Sequence, residues 1–219
     1  MNFLFGLVAC AVITGSQPEF PDTTFPFCVD SLFNLSSDEQ QTEVRIYRDR
    51  YTWFLVTTCK TMTVTYREVV DALEDITSYK EYFRFMKRSE FVDYKEVADS
   101  VALFEAGVAF YVAWYAGQIS HVERTDRKEC RLICGGMDQR LFRKEWKGNI
   151  GGIIRIGSHG VYLEWRIRDL GDGKTRVALT VSQAPAVYIP RWLLKIASRS
   201  IFPGMLRELE TAVRGEVRR

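Results

Sequence analysis

The chain has 219 residues, 47% of them hydrophobic and 13% aromatic, which is enough for one domain with a large core. Its 30 basic and 28 acidic residues give a formal net charge of +2, and this excludes the dense positive surface that a nucleic-acid backbone requires. The two histidines form no HExxH pair and the cysteines form no Cys-x-x-Cys motif. We therefore predict no metal site and no cofactor.

The first element is an uncharged apolar run from Phe3 to Ile13, which has the length of a signal peptide and is too short to span a bilayer. We expect residues 1–16 to be a signal segment and the protein to be exported, either periplasmic or secreted. Leu7 to Cys10 also has the pattern of a bacterial lipobox, which would lipidate Cys10 and anchor the protein to a membrane. No Lys or Arg precedes Cys10, so the alternatives are a true start further upstream or simple cleavage near Gly15 and Ser16.

A polar, proline-containing segment follows over residues 17–43. Prolines recur at positions 18, 21 and 26, and the few aromatic residues between them show no sustained period. This composition is typical of a linker or tether. We place the folded domain after it, over residues 44–215.

Four further cysteines are shared between the linker and the domain. In an oxidising compartment Cys28 and Cys59 could pair, and the alternative is that both remain free thiols. Cys130 and Cys134 cannot pair if they share a strand, because four residues at about 3.3 Å each separate them by roughly 13 Å.

The folded region opens with β-favouring residues from about Val44 to Val64, and a helix follows directly. Thr65 and Glu68 have the spacing of a capping box, and apolar residues then recur at helical spacing as far as Ile76. The pattern predicts a strand that enters a helix at Thr65.

The middle of the chain is rich in strand patterns, and its last two strands are the clearest. Apolar and polar residues alternate from Val161 to Ile167 and again from Val177 to Val181, with Gly171-Asp172-Gly173 between them. The alternation predicts an antiparallel hairpin with one buried face and one face in water. Glu164 and Arg166 then belong to the water-facing side.

The last element is a helical region that begins at Pro190 and carries apolar residues on one side from Trp192 to Val213. Pro203 has no backbone N–H, so we expect the helix to kink or break there. A strand, a helix, a run of antiparallel strands and a final helix predict an α+β fold with the helices on one face of the sheet.

Two stretches resemble the START-like superfamily, also called SRPBCC or the polyketide cyclase/dehydrase and lipid transport superfamily, and in particular its coenzyme Q-binding-like START domains. Residues 64–83 resemble the opening strand, helix and aromatic turn, with Asp75 and Tyr79 at family positions. Residues 160–213 resemble the closing hairpin and helix. The positions that match in this second stretch are Gly160, Thr175, Val177, Ile189, Pro190, Trp192, Pro203 and Leu206. The resemblance implies a helix-grip fold, in which a curved antiparallel sheet wraps around a long kinked C-terminal helix.

The resemblance also implies an apolar ligand in a cavity beneath the C-terminal helix, because the family includes lipid transfer domains, quinone chaperones and plant hormone receptors. We expect non-enzymatic binding or transport of a hydrophobic small molecule, such as a lipid or quinone, with a membrane as a further partner. The predicted lining residues are Phe110, Val112, Trp114, Leu163, Trp165, Trp192, Phe202 and Met205.

Two alternatives stay open. An aromatase/cyclase-type enzyme of the same superfamily would need acid/base groups in the cavity, for which the sequence offers His121 or His159 beside Glu123 or Glu164. No nucleophile motif accompanies them, so we predict no catalytic residues. The second alternative is an exported interaction protein whose apolar residues fill a solid core and leave no ligand cavity.

Overall fold

A computed structural model of the protein describes residues 32–34, 38–48, 52–94, 98–108, 111–124, 128–136, 154–156, 158–185 and 190–216. Within these residues the strands are β1 (Gln41–Arg48), β2 (Thr52–Met62), β3 (Met86–Tyr94), β4 (Ala98–Val108), β5 (Tyr111–Arg124), β6 (Glu129–Gly136), β7 (Ile154–Ile156), β8 (Ser158–Gly171) and β9 (Lys174–Pro185). The helices are α1 (Tyr66–Glu74), a 3-10 turn (Ile76–Ser78), α2 (Tyr79–Tyr82) and α3 (Arg191–Val213).

The strands form one curved sheet in the order β1-β2-β9-β8-β6-β5-β4-β3, and β7 pairs with β5 in parallel. All other pairings along this path are antiparallel. The segment with α1, the 3-10 turn and α2 runs from β2 to β3, which lies at the far edge of the sheet. The predicted α+β fold with a long C-terminal helix is confirmed.

Local signals in the sequence set the ends of two elements. The Thr65 backbone N–H donates to Glu68 Oε2 at 2.9 Å and the Glu68 N–H donates to Thr65 Oγ1 at 3.4 Å, so the predicted capping box forms. The hairpin of β8 and β9 turns at Asp172 and Gly173, whose φ angles of 52° and 68° suit an Asp-Gly pair. The start of α1 and the turn of this hairpin therefore lie where the sequence predicts, whereas α1 ends at Glu74 and the 3-10 turn begins at Ile76.

The core lies between the helices and the inner face of the sheet. Val69, Val70 and Leu73 bury one side of α1 against it. The rings of Phe83 and Trp165 stack with centroids 6.0 Å apart and an interplanar angle of 14°. These residues belong to one buried apolar cluster, which joins α1, the 3-10 turn and α3 to the central strands.

The outer face of the central strands is buried as well, which corrects the prediction of a water-facing side. Glu164 is 1% exposed and Arg166 is 7% exposed. Glu129 Oε1 accepts from Arg166 Nε at 2.6 Å and Glu164 Oε1 accepts from Arg131 Nε at 2.6 Å. Charged side chains tolerate burial when each finds an opposite charge in good geometry, and strict alternation of residue types cannot reveal such pairing.

Part of the segment predicted as a linker packs on this outer face. Phe33 is 2% exposed, and the guanidinium groups of Arg166 and Arg168 lie 4.4 Å and 4.5 Å from its ring centroid. Arg176 Nη2 donates to the Leu32 carbonyl at 3.1 Å. Strand β1 also begins inside the predicted linker, at Gln41.

Helix α3 continues through Pro203 as one helix of 23 residues, so the proline does not break it. The Pro203 carbonyl accepts from Gln40 Nε2 at 2.8 Å, and Glu208 Oε1 lies 3.0 Å from Arg84 Nε. Glu210 forms an ion pair with Lys60 on β2. These contacts fix the second half of α3 to neighbouring segments. They help to offset the backbone hydrogen bond that the helix loses at Pro203.

Among the described helices, none combines the length and apolarity that crossing a bilayer would require. The predicted signal segment, residues 1–16 with Cys10, lies outside the described residues, as does Cys28.

Candidate ligand cavity

The described residues enclose a cavity of about 100 Å³ between the segment that follows β2 and the inner face of the sheet. Its wall is formed mainly by apolar side chains from α1, the 3-10 turn, α2 and five strands. These are Leu73, Ile76, Tyr79, Phe91, Phe104, Ile119, Leu132, Ile133, Cys134, Leu163 and Trp165. No described residue of α3 lines it, so this cavity lies beneath α1 and the 3-10 turn and not beneath the C-terminal helix.

The size of the cavity limits what it can hold in this conformation. Pockets for drug-sized ligands usually measure about 300–1,000 Å³, and one water molecule occupies about 30 Å³ of liquid. A volume of about 100 Å³ therefore admits the end of an apolar molecule and not a whole lipid chain. A longer ligand requires the wall to move apart.

The deep wall of the cavity is built around Trp165. Its side chain is 1% exposed, and Leu163, two positions earlier on the same strand face, is 6% exposed. Trp165 Nε1 is buried and has no hydrogen-bond acceptor among the described residues. An unpaired buried donor costs roughly 1–3 kcal/mol.

The mouth of the cavity is polar and partly open to solvent. Phe91 is 46% exposed, and the side chains of Glu74 and His121 are 42% and 37% exposed. His121 Nδ1 lies 2.8 Å from Glu74 Oε1, which links the end of α1 to β5. His121 Nε2 lies 3.1 Å from Cys130 Sγ. The ring is thus held from both sides at the rim.

The cysteine beside this histidine is a protonated thiol at neutral pH. Burial, aided by the carboxylates of Glu74 and Glu123, raises the pKa of Cys130 to about 11, although a hydrogen bond with Tyr66 acts to lower it. Burial likewise raises the pKa of Cys134 to about 12. A thiol with such a pKa is a poor nucleophile, because the thiolate is the reactive form.

The partner of His121 differs from the carboxylates that the sequence suggests. His121 Nε2 lies 3.7 Å from Glu123 Oε1, whereas Glu74 on α1 is in close contact through the other ring nitrogen. Glu164 is on the opposite face of the sheet and binds Arg131. No local pattern marks Glu74 as a partner, because only the packing of α1 on the sheet brings it to β5. His159 has a described backbone in β8 but lies outside the residues whose side chains are described.

Five of the predicted lining residues lie on the sheet or just before β5. Leu163 and Trp165 line the cavity. Phe110 lies outside the described residues, and of Val112 and Trp114 only the backbone in β5 is described.

The three predicted lining residues on α3 lie elsewhere. Met205 is 3% exposed in the main core, and Phe202 is half-buried between two apolar clusters. Trp192 is 65% exposed, which corrects its prediction as a lining residue. Leu194 and Ser198 lie on the side of α3 that faces the rest of the protein. Trp192 is two positions before Leu194, so it is turned by roughly 200° around the helix axis and points away.

The described residues contain no group of three or more side chains placed to hold a metal ion. The buried thiols of Cys59, Cys130 and Cys134 are free, and Cys130 and Cys134 share strand β6, which is the arrangement on which their predicted separation depends.

No protein-family model and no curated protein matches this chain. Solved structures do match it. Human STARD10 superposes with a TM-score of 0.61 at 11% identity, over 90% of this chain and 81% of that one. Human StAR-related lipid transfer protein 5 gives 0.59 at 12% identity, over 86% and 92%. A STAR-related lipid transfer protein from Xanthomonas axonopodis gives 0.54 at 12% identity, over 78% and 98%. The element order, the sheet and these superpositions establish that the chain has the START-like helix-grip fold.

Proposed function

We propose that this protein binds and transports a hydrophobic small molecule, such as a lipid or quinone, without changing it chemically. The observation that carries the proposal is the apolar cavity between α1 and the sheet, whose inner wall is buried and whose rim is polar. Two of the similar structures are named lipid transfer proteins, which supports the same class of ligand.

A ligand longer than the cavity requires the rim to open further, and the contact between Glu74 and His121 at the rim is weak. The Glu74–His121 contact joins two partly exposed side chains, and pairs of this kind contribute at most about 1 kcal/mol. Each methylene that becomes buried contributes about 0.8 kcal/mol. A chain that extends from the cavity towards the rim therefore offsets the loss of this contact within a few carbons.

The test is uptake of a lipid by the purified protein, followed by native mass spectrometry. The full chain is stripped of lipid, offered a mixed lipid and quinone extract, and weighed. We expect a stoichiometric adduct. A Leu163→Phe variant, which fills the cavity, should lose the adduct, while Leu170→Phe on the 48% exposed end of β8 should keep it. A folded wild-type protein that takes up nothing would favour an interaction protein with a filled core instead.

Exchange of such a ligand calls for contact with a membrane, and we propose the first half of α3 as the contact surface. Trp192 and Ile196 are 65% and 60% exposed and lie one turn apart. Residues 191–207 contain four basic residues and no acidic one. The three basic residues nearest this pair are exposed: Arg191, Lys195 and Arg199. A Trp among cations suits the interface of an anionic bilayer.

Vesicle co-sedimentation tests this surface. The wild-type protein should bind vesicles of phosphatidylcholine with phosphatidylglycerol and bind pure phosphatidylcholine less, since each Lys or Arg near an anionic surface contributes about 1 kcal/mol. Trp192→Ala with Ile196→Ala should abolish the binding, and Leu170→Ala, at another exposed apolar position, should not. Equal binding by both variants would rule out α3 as the contact.

Export remains a proposal drawn from the sequence alone, because residues 1–31 lie outside the described residues. The mass of the mature protein, produced in a bacterial host with its own N-terminus, tests it. Loss of about the first 16 residues supports a cleaved signal peptide, and a mature chain that begins with an acylated Cys10 supports the lipoprotein. An intact Met1 in the cytoplasmic fraction contradicts both.

One observation favours the enzymatic alternative of the aromatase/cyclase type: His121 and Glu74 are an acid/base pair at the cavity rim. The test is to compare the mass of the ligand before and after incubation. An unchanged ligand supports the carrier. A changed ligand, with the change abolished in His121→Gln, supports the enzyme.

A further inference from the structure

Trp165 carries a hydrogen-bond donor that the described part of the protein leaves unused. Its indole is 1% exposed and lines the cavity, yet Nε1 has no acceptor there. Other buried donors in the same core are paired: the Tyr79 hydroxyl donates to the Leu73 carbonyl and the Thr175 hydroxyl to the Val64 carbonyl, both at 2.7 Å. An unpaired buried donor in a native core calls for an explanation.

The indole is held in a fixed plane. The ring of Phe83 lies parallel to it with centroids 6.0 Å apart, and Leu163 packs beside it in the same cluster. A donor that is fixed before a ligand arrives loses little conformational freedom on binding, which favours an interaction at this position.

The charges around the cavity restrict the acceptor that can reach this donor. Among the described lining residues Glu74 is the only carboxylate, and there is no Lys or Arg. A carboxylate or phosphate that reached Trp165 would find no Lys or Arg to pair with, and burying an unpaired charge is far more costly than burying a neutral oxygen.

We propose that the ligand carries a neutral oxygen acceptor, a carbonyl or a hydroxyl, at the end that enters the cavity, and that Trp165 Nε1 donates to it. The inference rests on the proposed function, because it requires that a ligand enters this cavity. It narrows the ligand from any hydrophobic molecule to a ketone, quinone, ester or alcohol bound oxygen end first, and it makes Trp165 the residue that sets this specificity.

The experiment compares three probes of one chain length: 2-undecanone, undecane and undecanoate. Each displaces a fluorescent probe, 1-aminoanthracene, from the full-length protein. We expect the ketone to bind roughly twofold to tenfold more tightly than the alkane, the range that one net hydrogen bond provides, and the carboxylate to bind most weakly. Trp165→Phe should keep its affinity for the alkane and lose its preference for the ketone, while Leu170→Ala, at an exposed position of the same strand, should retain the preference.

A spectroscopic readout follows binding by the wild-type protein and uses the variant for assignment alone. In a proton–nitrogen NMR spectrum the indole N–H of Trp165, assigned by its absence in Trp165→Phe, should shift downfield with the ketone and not with the alkane. Equal affinities for ketone and alkane in the wild-type protein, or an unmoved Trp165 signal, would overturn the inference while leaving the carrier intact. Failure of the wild type to bind ketone or alkane would overturn the proposed function and this inference together.

Discussion

Arg166 Nε lies 2.6 Å from Glu129 Oε1, and neither side chain reaches solvent appreciably: Glu129 is fully buried and Arg166 is 8% exposed at its side chain. Arg168 Nη2 donates to the other oxygen of the same carboxylate at 2.8 Å. One buried carboxylate thus forms ion pairs with two guanidinium groups. They lie on the face of the sheet that the alternation of residue types predicts to be exposed to solvent. The sheet consequently has two buried faces at its centre.

Removing that carboxylate should destabilise the protein strongly. Glu129→Gln leaves Arg166 buried without its counter-charge, for which a loss of about 3–5 kcal/mol in the free energy of unfolding is expected. Urea unfolding followed by circular dichroism measures it. The control is Asp71→Asn in the exposed Arg67–Asp71 pair, 2.9 Å apart, where the expected loss is at most about 1 kcal/mol. Similar losses in the two variants would contradict the prediction.

The same carboxylate predicts how stability changes with pH. Burial acts to raise the pKa of Glu129, but hydrogen bonds from Arg166 and Arg168 outweigh it and lower the pKa below its ordinary value of 4.5. A carboxyl whose pKa is lower in the folded state stabilises the protein fully above about pH 4.5, and that contribution is lost as the pH falls through the folded pKa. The difference in unfolding free energy between the wild type and Glu129→Gln should therefore shrink on acidification from about pH 7 to about pH 3. A difference that stays constant would show that the carboxylate is not titrating in this way.

The buried thiols should resist alkylation while the protein is folded. Burial raises the pKa to about 11 for Cys59 and Cys130 and to about 12 for Cys134. Iodoacetamide attacks thiolates, so at about pH 8 labelling should be slower by at least about a hundredfold than for an ordinary cysteine with a pKa near 8.5. Peptide mass spectrometry identifies the labelled sites, and urea should restore rapid labelling. Fast labelling of any of the three in the native protein would contradict the burial described.

One glycine in β5 should not tolerate a side chain. A Cβ at Gly117 would lie 2.4 Å from Cys134 Sγ and 2.5 Å from the Gly135 carbonyl oxygen. Gly117→Ala should cost about 1–3 kcal/mol of stability, since β5 and β6 must move apart. Gly135→Ala on the neighbouring strand is the matched control, because a Cβ there meets nothing within 4 Å. Thermal unfolding should show a lower midpoint for the first variant alone, and equal midpoints would contradict the close approach of the strands.

Much of the fold could be predicted because its signals are local. The capping box of Thr65 and Glu68 fixes the start of α1 through atoms three residues apart. The Asp172-Gly173 pair fixes the hairpin through backbone angles that few other residues adopt. Alternation in β8 identifies Trp165 as inward-facing, and Trp165 is indeed buried.

The candidate site could be predicted only in part. Leu163 and Trp165 follow from alternation, but Glu74 joins His121 only because α1 packs across the sheet. Helical periodicity does not show which apolar residues of a long helix contact the sheet, and Trp192 lies on the side of α3 that faces away from it, whereas Leu194 packs against β2.

The sequence by itself determined the start of α1, the turn between β8 and β9 and the inner face of that hairpin, because each depends on interactions between near neighbours in the chain. The helix-grip architecture was implied by the resemblance of two stretches to the START-like superfamily. Only the tertiary structure decided that Glu129 and Glu164 are buried, that the cavity lies beneath α1, and that Trp165 lacks an acceptor. These features depend on pairings between distant segments. The free energy of such a pairing depends on geometry that no local pattern encodes.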